Sequence, residues 1–106
     1  MVSFSDFSKI DIRVGKVLSV EDHPDADKLY VLRVDIGEKE IQLVAGVKNY
    51  YAADELMGKN IVVLANLEPR TLRGVESQGM LLAAQSEDTI SVLSPDREMP
   101  PGSKVR

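Results

Sequence analysis

At 106 residues the chain has room for one domain and one core, and its 43% apolar and 28% charged content are ordinary for a globular protein. Seventeen acidic against 13 basic side chains leave a net charge of −4. This argues against a generic polyanion binder but permits a local basic patch, because charges are screened beyond about 8 Å at ~0.15 M salt. The absence of cysteine excludes a disulfide framework and thiolate zinc sites, and MVSFSDFSKI lacks the apolar core of a signal peptide or membrane span. A cytoplasmic protein with no membrane partner is expected, and MVSFSDFSKI reads as a natural chain start.

In KIDIRVGKVLSV, Ile10, Ile12 and Val14 alternate with Asp11 and Arg13, the period of a half-buried strand. Gly15 interrupts and the apolar phase moves to Val17, Leu18 and Val20, so a bulge or sharp bend is expected there. EDHPDADK is a loop by its Pro and Asp content. LYVLRVDIG is a second strand with Tyr30, Leu32, Val34 and Ile36 on one face, and EIQLVAG is a third. YYAADELMG predicts about two helical turns stopped by Gly58. NIVVLANL and MLLAAQ read as strands four and five, and DTISVLS as a further short strand. PDREMPPGSKVR is turn-rich, and its doubled proline is incompatible with a central strand.

Three strands, a short helix, two strands and a C-terminal extension are the order of a five-stranded OB-fold barrel, mainly all-β, over a single domain 1–106. The long, bent first strand suits a barrel that must turn a corner. An SH3-like barrel is the nearest rival.

No catalytic constellation emerges. His23 is the one histidine, and DHPDAD departs from a calcium loop because Lys28 follows Asp27 where glycine is needed. His23, Asp22 and Asp25 therefore read as turn residues, and no metal site is expected. GVESQG has Val75 where a nucleophile elbow requires glycine before Ser77, and a strand follows rather than a helix. Phosphate-cradling glycine motifs are absent. A non-enzyme without cofactor is expected.

The stretch NLEPRTLRGVESQGM, residues 66–80, is too elaborate for an ordinary strand connection. It offers guanidinium groups for phosphate pairing and base stacking, small residues for close approach, and amide and hydroxyl groups for base edges or the 2′-OH. Asn66, Arg70, Arg73, Gly74, Ser77, Gln78, Gly79 and Met80 make up this set, with Lys28 and Arg33 adding charge from the second strand and the loop before it. Two readings stay open on the residues alone. Pro69 and Gly74 can simply shape a wide turn, Met80 can belong to the core, and Glu68 and Glu76 cancel the two arginines in sequence.

Three blocks carry a resemblance: DIRVGKVLSVEDHPDADKLYVLRVDIG, NLEPRTLRGVESQGMLLAA and MPPGSKV. In this order they resemble the signature of the tRNA-binding domain found in methionyl-tRNA synthetases and as free-standing dimers, and the match runs from Ile10 to Val105. The resemblance implies an OB-fold that binds tRNA by shape and has no catalytic role. It places RNA contacts on Lys28, Asn66, Arg70, Arg73, Ser77 and Met80; Arg33 and Gln78 stay supporting candidates from the chemistry of the residues alone. It also implies a homodimer built partly from the C-terminal strand and tail, and a partnership with a methionyl-tRNA synthetase catalytic subunit as its β subunit or accessory domain. Glu68 and Thr71 depart from often basic positions, which predicts modest affinity. The alternative is a dimeric, peptide-binding secretion chaperone on the same barrel, resembling the chain in DIRVG but lacking the later blocks. A third reading is a module that mainly dimerises or docks a synthetase.

Overall fold

The computed structural model describes residues 1–106. A single turn of helix, α1 (Phe4–Phe7), precedes the barrel and was not anticipated; the Ser3 hydroxyl caps it by accepting from the Asp6 N–H at 3.0 Å. Eleven residues then form β1 (Ile12–Asp22), the strand around which the barrel is organised. Its first half pairs with β4 (Asn60–Leu64), and most of its second half pairs with β2 (Tyr30–Asp35). β2 in turn pairs with β3 (Glu40–Ala45), and β4 with the two-residue β7 (Met80–Leu81). All four ladders are antiparallel, giving the sheet order β3-β2-β1-β4-β7 of a mainly β, OB-like barrel.

The irregularity in β1 lies three residues beyond the expected glycine. The register with β2 shifts between Val17 and Ser19, and Leu18 is turned out to solvent. Gly15 serves a different need: a Cβ there would lie 2.5 Å from a methyl of Val34, so the strand passes closer to β2 than any side chain allows.

Tyr30, Leu32, Val34 and Ile36, the face predicted by period-two alternation, are all at most 4% exposed. They join Ile41, Leu43, Ile61 and Val63 in one cluster of 13 buried side chains. The helix between strands three and four is one turn, α2 (Ala53–Leu56), rather than two. Tyr50 and Tyr51 both donate their N–H to the Val47 carbonyl in a preceding turn, so winding starts only at Ala53. Leu56 is fully buried against the barrel, and Gly58, at φ 78°, ends the turn.

MLLAAQ is not one strand. After β7 the chain leaves the barrel at Leu82, and β8 (Ala83–Ser86) folds onto β9 (Thr89–Val92) as a separate hairpin. Beyond it, the MPPG turn packs against the barrel, where a Cβ on Gly102 would meet the Ile36 carbonyl at 2.7 Å. The chain ends in β10 (Lys104–Val105), paired with the start of β1.

Candidate nucleic-acid interface

Residues 66–80 are not an irregular connection. They contain a second ribbon, β5 (Arg70–Leu72) paired with β6 (Val75–Ser77) through the two-residue turn Arg73–Gly74. Both turn residues have positive φ, 51° and 86°, the requirement of a tight hairpin that matches strand twist. The register puts Arg70 opposite Ser77 and Leu72 opposite Val75, with Thr71 opposite Glu76. Side chains alternate across a ribbon, so Arg70, Leu72, Val75 and Ser77 face the barrel side while Thr71 and Glu76 face outward. Glu76 therefore does not cancel Arg70, although the linear sequence suggests that it should.

β6 lies along the free edge of β3 without extending its ladder. The Ser77 hydroxyl, 6% exposed, accepts from the Val44 N–H at 3.0 Å and donates to the Gly79 carbonyl at 2.9 Å. Gln42 Nε2 donates to the Glu76 carbonyl at 2.8 Å. Gly79 follows because a Cβ at that position would stand 2.7 Å from the Leu64 carbonyl oxygen. Between the end of β3 and the ribbon is a cleft of about 220 Å³, lined by Val44, Ala45, Leu72 and Met80 with Arg70 among its lining residues.

The loop 23–29 is joined to this ribbon through His23. The imidazole, 5% exposed, places Nε2 at 2.8 Å from the Leu72 carbonyl and Nδ1 at 2.9 Å from the Asp25 N–H. A carbonyl can only accept and an N–H can only donate, so the network assigns the proton to Nε2. Sequence reasoning saw a turn residue in His23; its local bond to Asp25 fits that, but its partner 49 residues away left no signal in the spacing.

The predicted contact residues divide into two kinds. Lys28, Arg70 and Arg73 are exposed and make no ion pair, and Met80 is 43% exposed beside the cleft. The polar groups of the others are already engaged. Asn66 accepts from the Asp11 N–H at 2.9 Å and donates to the Lys9 carbonyl at 2.7 Å, fastening the segment after α1 to the end of β4. Gln78 Oε1 accepts from the Gln42 N–H at 2.8 Å, and Arg33 pairs with Glu40 at 3.6 Å. Away from the cleft, Arg13 bonds Asp11 at 2.9 Å, and that hydrogen bond and the Asp11 charge raise its pKa above the ordinary guanidinium value.

Residues 12–104 match the family model "Putative tRNA binding domain". The methionine–tRNA ligase of Pyrococcus furiosus is 57% identical over 105 residues, which are 99% of this chain and 14% of that protein. The corresponding enzyme of Thermotoga maritima is 51% identical over 104 residues, 98% of this chain and 16% of its own length. The chain thus spans a small fraction of these curated relatives. A crystal structure of a MetRS related protein from Pyrococcus horikoshii superposes with a TM-score of 0.94 at 34% identity, covering 100% of this chain and 98% of the other. The CsaA chaperone of Picrophilus torridus superposes with a TM-score of 0.92 at 35% identity over all of both chains.

Proposed function

Because the chain belongs to the tRNA-binding domain family, we propose that it is a non-catalytic module that captures folded tRNA on the face formed by the β5–β6 ribbon and the 23–29 loop. Residues 1–106 act in this reading as one unit, in the cytoplasm, alongside a methionine–tRNA ligase catalytic body, as its accessory domain or separate β subunit. One observation carries the reading. Lys28, Arg70 and Arg73, three exposed cations without an ion-pair partner, lie on two segments that His23 joins, beside a cleft that includes Met80. Lysine supplies a point charge to phosphate, while arginine can pair bidentately or stack on an exposed base. Ser77 and Gln78 serve by seating the ribbon, Asn66 by fastening the segment after α1 to the end of β4, and Arg33 contributes at the margin because Glu40 holds it.

Three free cations predict an affinity on the order of micromolar per protomer, steeply dependent on salt. Tethering to a catalytic body, or pairing of two copies, raises the effective concentration of the second contact without any new interaction. A homodimer is supported by exposed apolar surface at Phe4, Phe7 and Ile10, which with Val105 of β10 lines one continuous depression.

The test is a salt titration of binding to mixed tRNA and to an unstructured RNA of equal length, with wild type and an Arg70→Ala/Arg73→Ala variant. The expected result is a preference for folded tRNA, with the slope of log affinity against log salt reduced by roughly 0.7–0.9 per arginine removed. Equal or absent binding to both RNAs would overturn the reading. The apolar cleft and the likeness to a CsaA chaperone favour a second reading, capture of extended peptides, so apolar peptides belong in the same titration.

A further inference from the structure

The ribbon that carries both arginines is weakly held. β5 and β6 form a two-stranded sheet of their own, and such a pair is at best marginal in water. The exit of the ribbon is secured by Ser77, Gln42 and Gln78. Its tip is not: apart from the β5–β6 ladder itself, the bond from His23 Nε2 to the Leu72 carbonyl is the one hydrogen bond joining residues 67–75 to another segment of the chain. Leu72 immediately precedes Arg73 and lies two residues after Arg70, so the bond acts on the backbone between the two guanidinium groups. On its other side, the same ring receives the Asp25 N–H and so orders the loop that leads to Lys28.

We propose that His23 is a positioning residue for RNA recognition, holding the Arg70/Arg73 ribbon in a fixed relation to the Lys28 loop. The inference rests on the tRNA reading above. The imidazole touches no RNA. Its two nitrogens form a bridge, one accepting from the loop and one donating to the ribbon, from a ring on a residue that is only 5% exposed. Binding to a ribbon already in place avoids the entropy of ordering its tip during association.

The two halves of the bridge can be separated in the full chain. His23→Asn offers a short side-chain acceptor near the Nδ1 position and lacks the reach to Leu72, whereas His23→Gln offers an amide donor near the Nε2 position. Three measurements are needed on both: exchange of the amides of residues 70–75 relative to the core strands, tRNA affinity, and affinity again in a Lys28→Ala background. His23→Asn is expected to loosen the tip amides with the core unchanged and to weaken tRNA binding about tenfold, the equivalent of ~1.4 kcal/mol. His23→Gln restores most of both. In the Lys28→Ala background the Asn effect should shrink, because the ribbon then has one partner fewer to be aligned with; an effect on general stability alone would add without coupling. Unchanged tRNA affinity in His23→Asn despite loosened tip amides would overturn the proposal, as would full additivity with Lys28→Ala. Failure of the wild-type chain to prefer folded tRNA marks the different failure, that of the tRNA reading itself, and the positioning role falls with it.

Discussion

Gln42 and Gln78 close the barrel by engaging each other reciprocally: the Gln78 N–H donates to the Gln42 carbonyl at 2.7 Å, and the Gln42 N–H donates to Gln78 Oε1 at 2.8 Å. The second bond replaces a backbone acceptor by a side-chain one. The edge of β3 is thereby engaged without a regular strand added to it, and β6 can diverge from it to open the cleft. Truncation in Gln78→Ala removes the acceptor of the Gln42 N–H at a partly solvated site, and a loss of about 1 kcal/mol in unfolding free energy is expected. Gln78→Glu keeps the oxygen and should recover most of it. Urea denaturation midpoints measure both; an Ala variant as stable as wild type would mean that water fully replaces the amide.

Arg73 is one of two non-glycine residues in the chain with a positive φ, the other being Glu87. At φ 51° it occupies the left-handed region that costs an ordinary L-residue roughly 1–2 kcal/mol, at a turn position where asparagine or glycine is usual. An arginine at such a strained turn position is consistent with a use for its side chain beyond the turn. Arg73→Asn creates the Asn-Gly pair favoured by such hairpins, so it should stabilise the fold by about 0.5–1 kcal/mol. The same change should weaken tRNA binding and lower the salt slope by roughly 0.7–0.9. Thermal melting and the salt titration test the two halves separately. A variant with undiminished tRNA affinity would reduce Arg73 to a poorly chosen turn residue.

Much of this was legible because it is periodic. Alternation in LYVLRVDIG identified the face that buries Tyr30, Leu32, Val34 and Ile36, since a half-buried strand hides every second side chain. The ribbon inside residues 66–80 escaped because its strands are three residues long, too short for a period to register, and Pro69 and Gly74 dominate the local signal. The turn of helix at Phe4–Phe7 was legible in principle from Ser3 and Asp6, three apart, the spacing of a capped first turn. Nothing local could have disclosed that Asn66 is engaged by Asp11 and Lys9, or that Ser77 serves Val44 besides its local bond to Gly79, because those partners are distant in the chain. Polar residues in a binding motif look alike whether they face ligand or backbone.

That ambiguity is open to experiment. Ser77→Ala leaves the Val44 N–H without its acceptor at a largely buried site, and about 1–3 kcal/mol of stability should be lost. Asn66→Ala breaks two bonds at an exposed site and should cost about 1 kcal/mol. Neither removes a charge, so tRNA affinity should fall only modestly, with the salt slope unchanged, in contrast to Arg70→Ala. A tRNA affinity loss in Ser77→Ala as large as in Arg70→Ala, with the melting temperature preserved, would return the hydroxyl to direct RNA contact.

Phe4 and Phe7 present a further opportunity for measurement. Their rings lie 6.5 Å apart on a helix of one turn that buries no side chain, with Phe4 82% exposed. A stable interface buries roughly 1,200–2,000 Å² in total, more than the aromatic pair alone supplies, so Ile10 and the β10 segment must take part. The expected species in sedimentation at micromolar concentration is a dimer. Phe4→Ser/Phe7→Ser should convert it to a monomer with the barrel intact, because neither ring belongs to the buried core cluster. The dimer's bivalent contact would be lost with it, and tRNA would then bind with the lower affinity of a single protomer. A wild-type monomer at these concentrations would remove the dimer and leave the exposed aromatics free for a different partner.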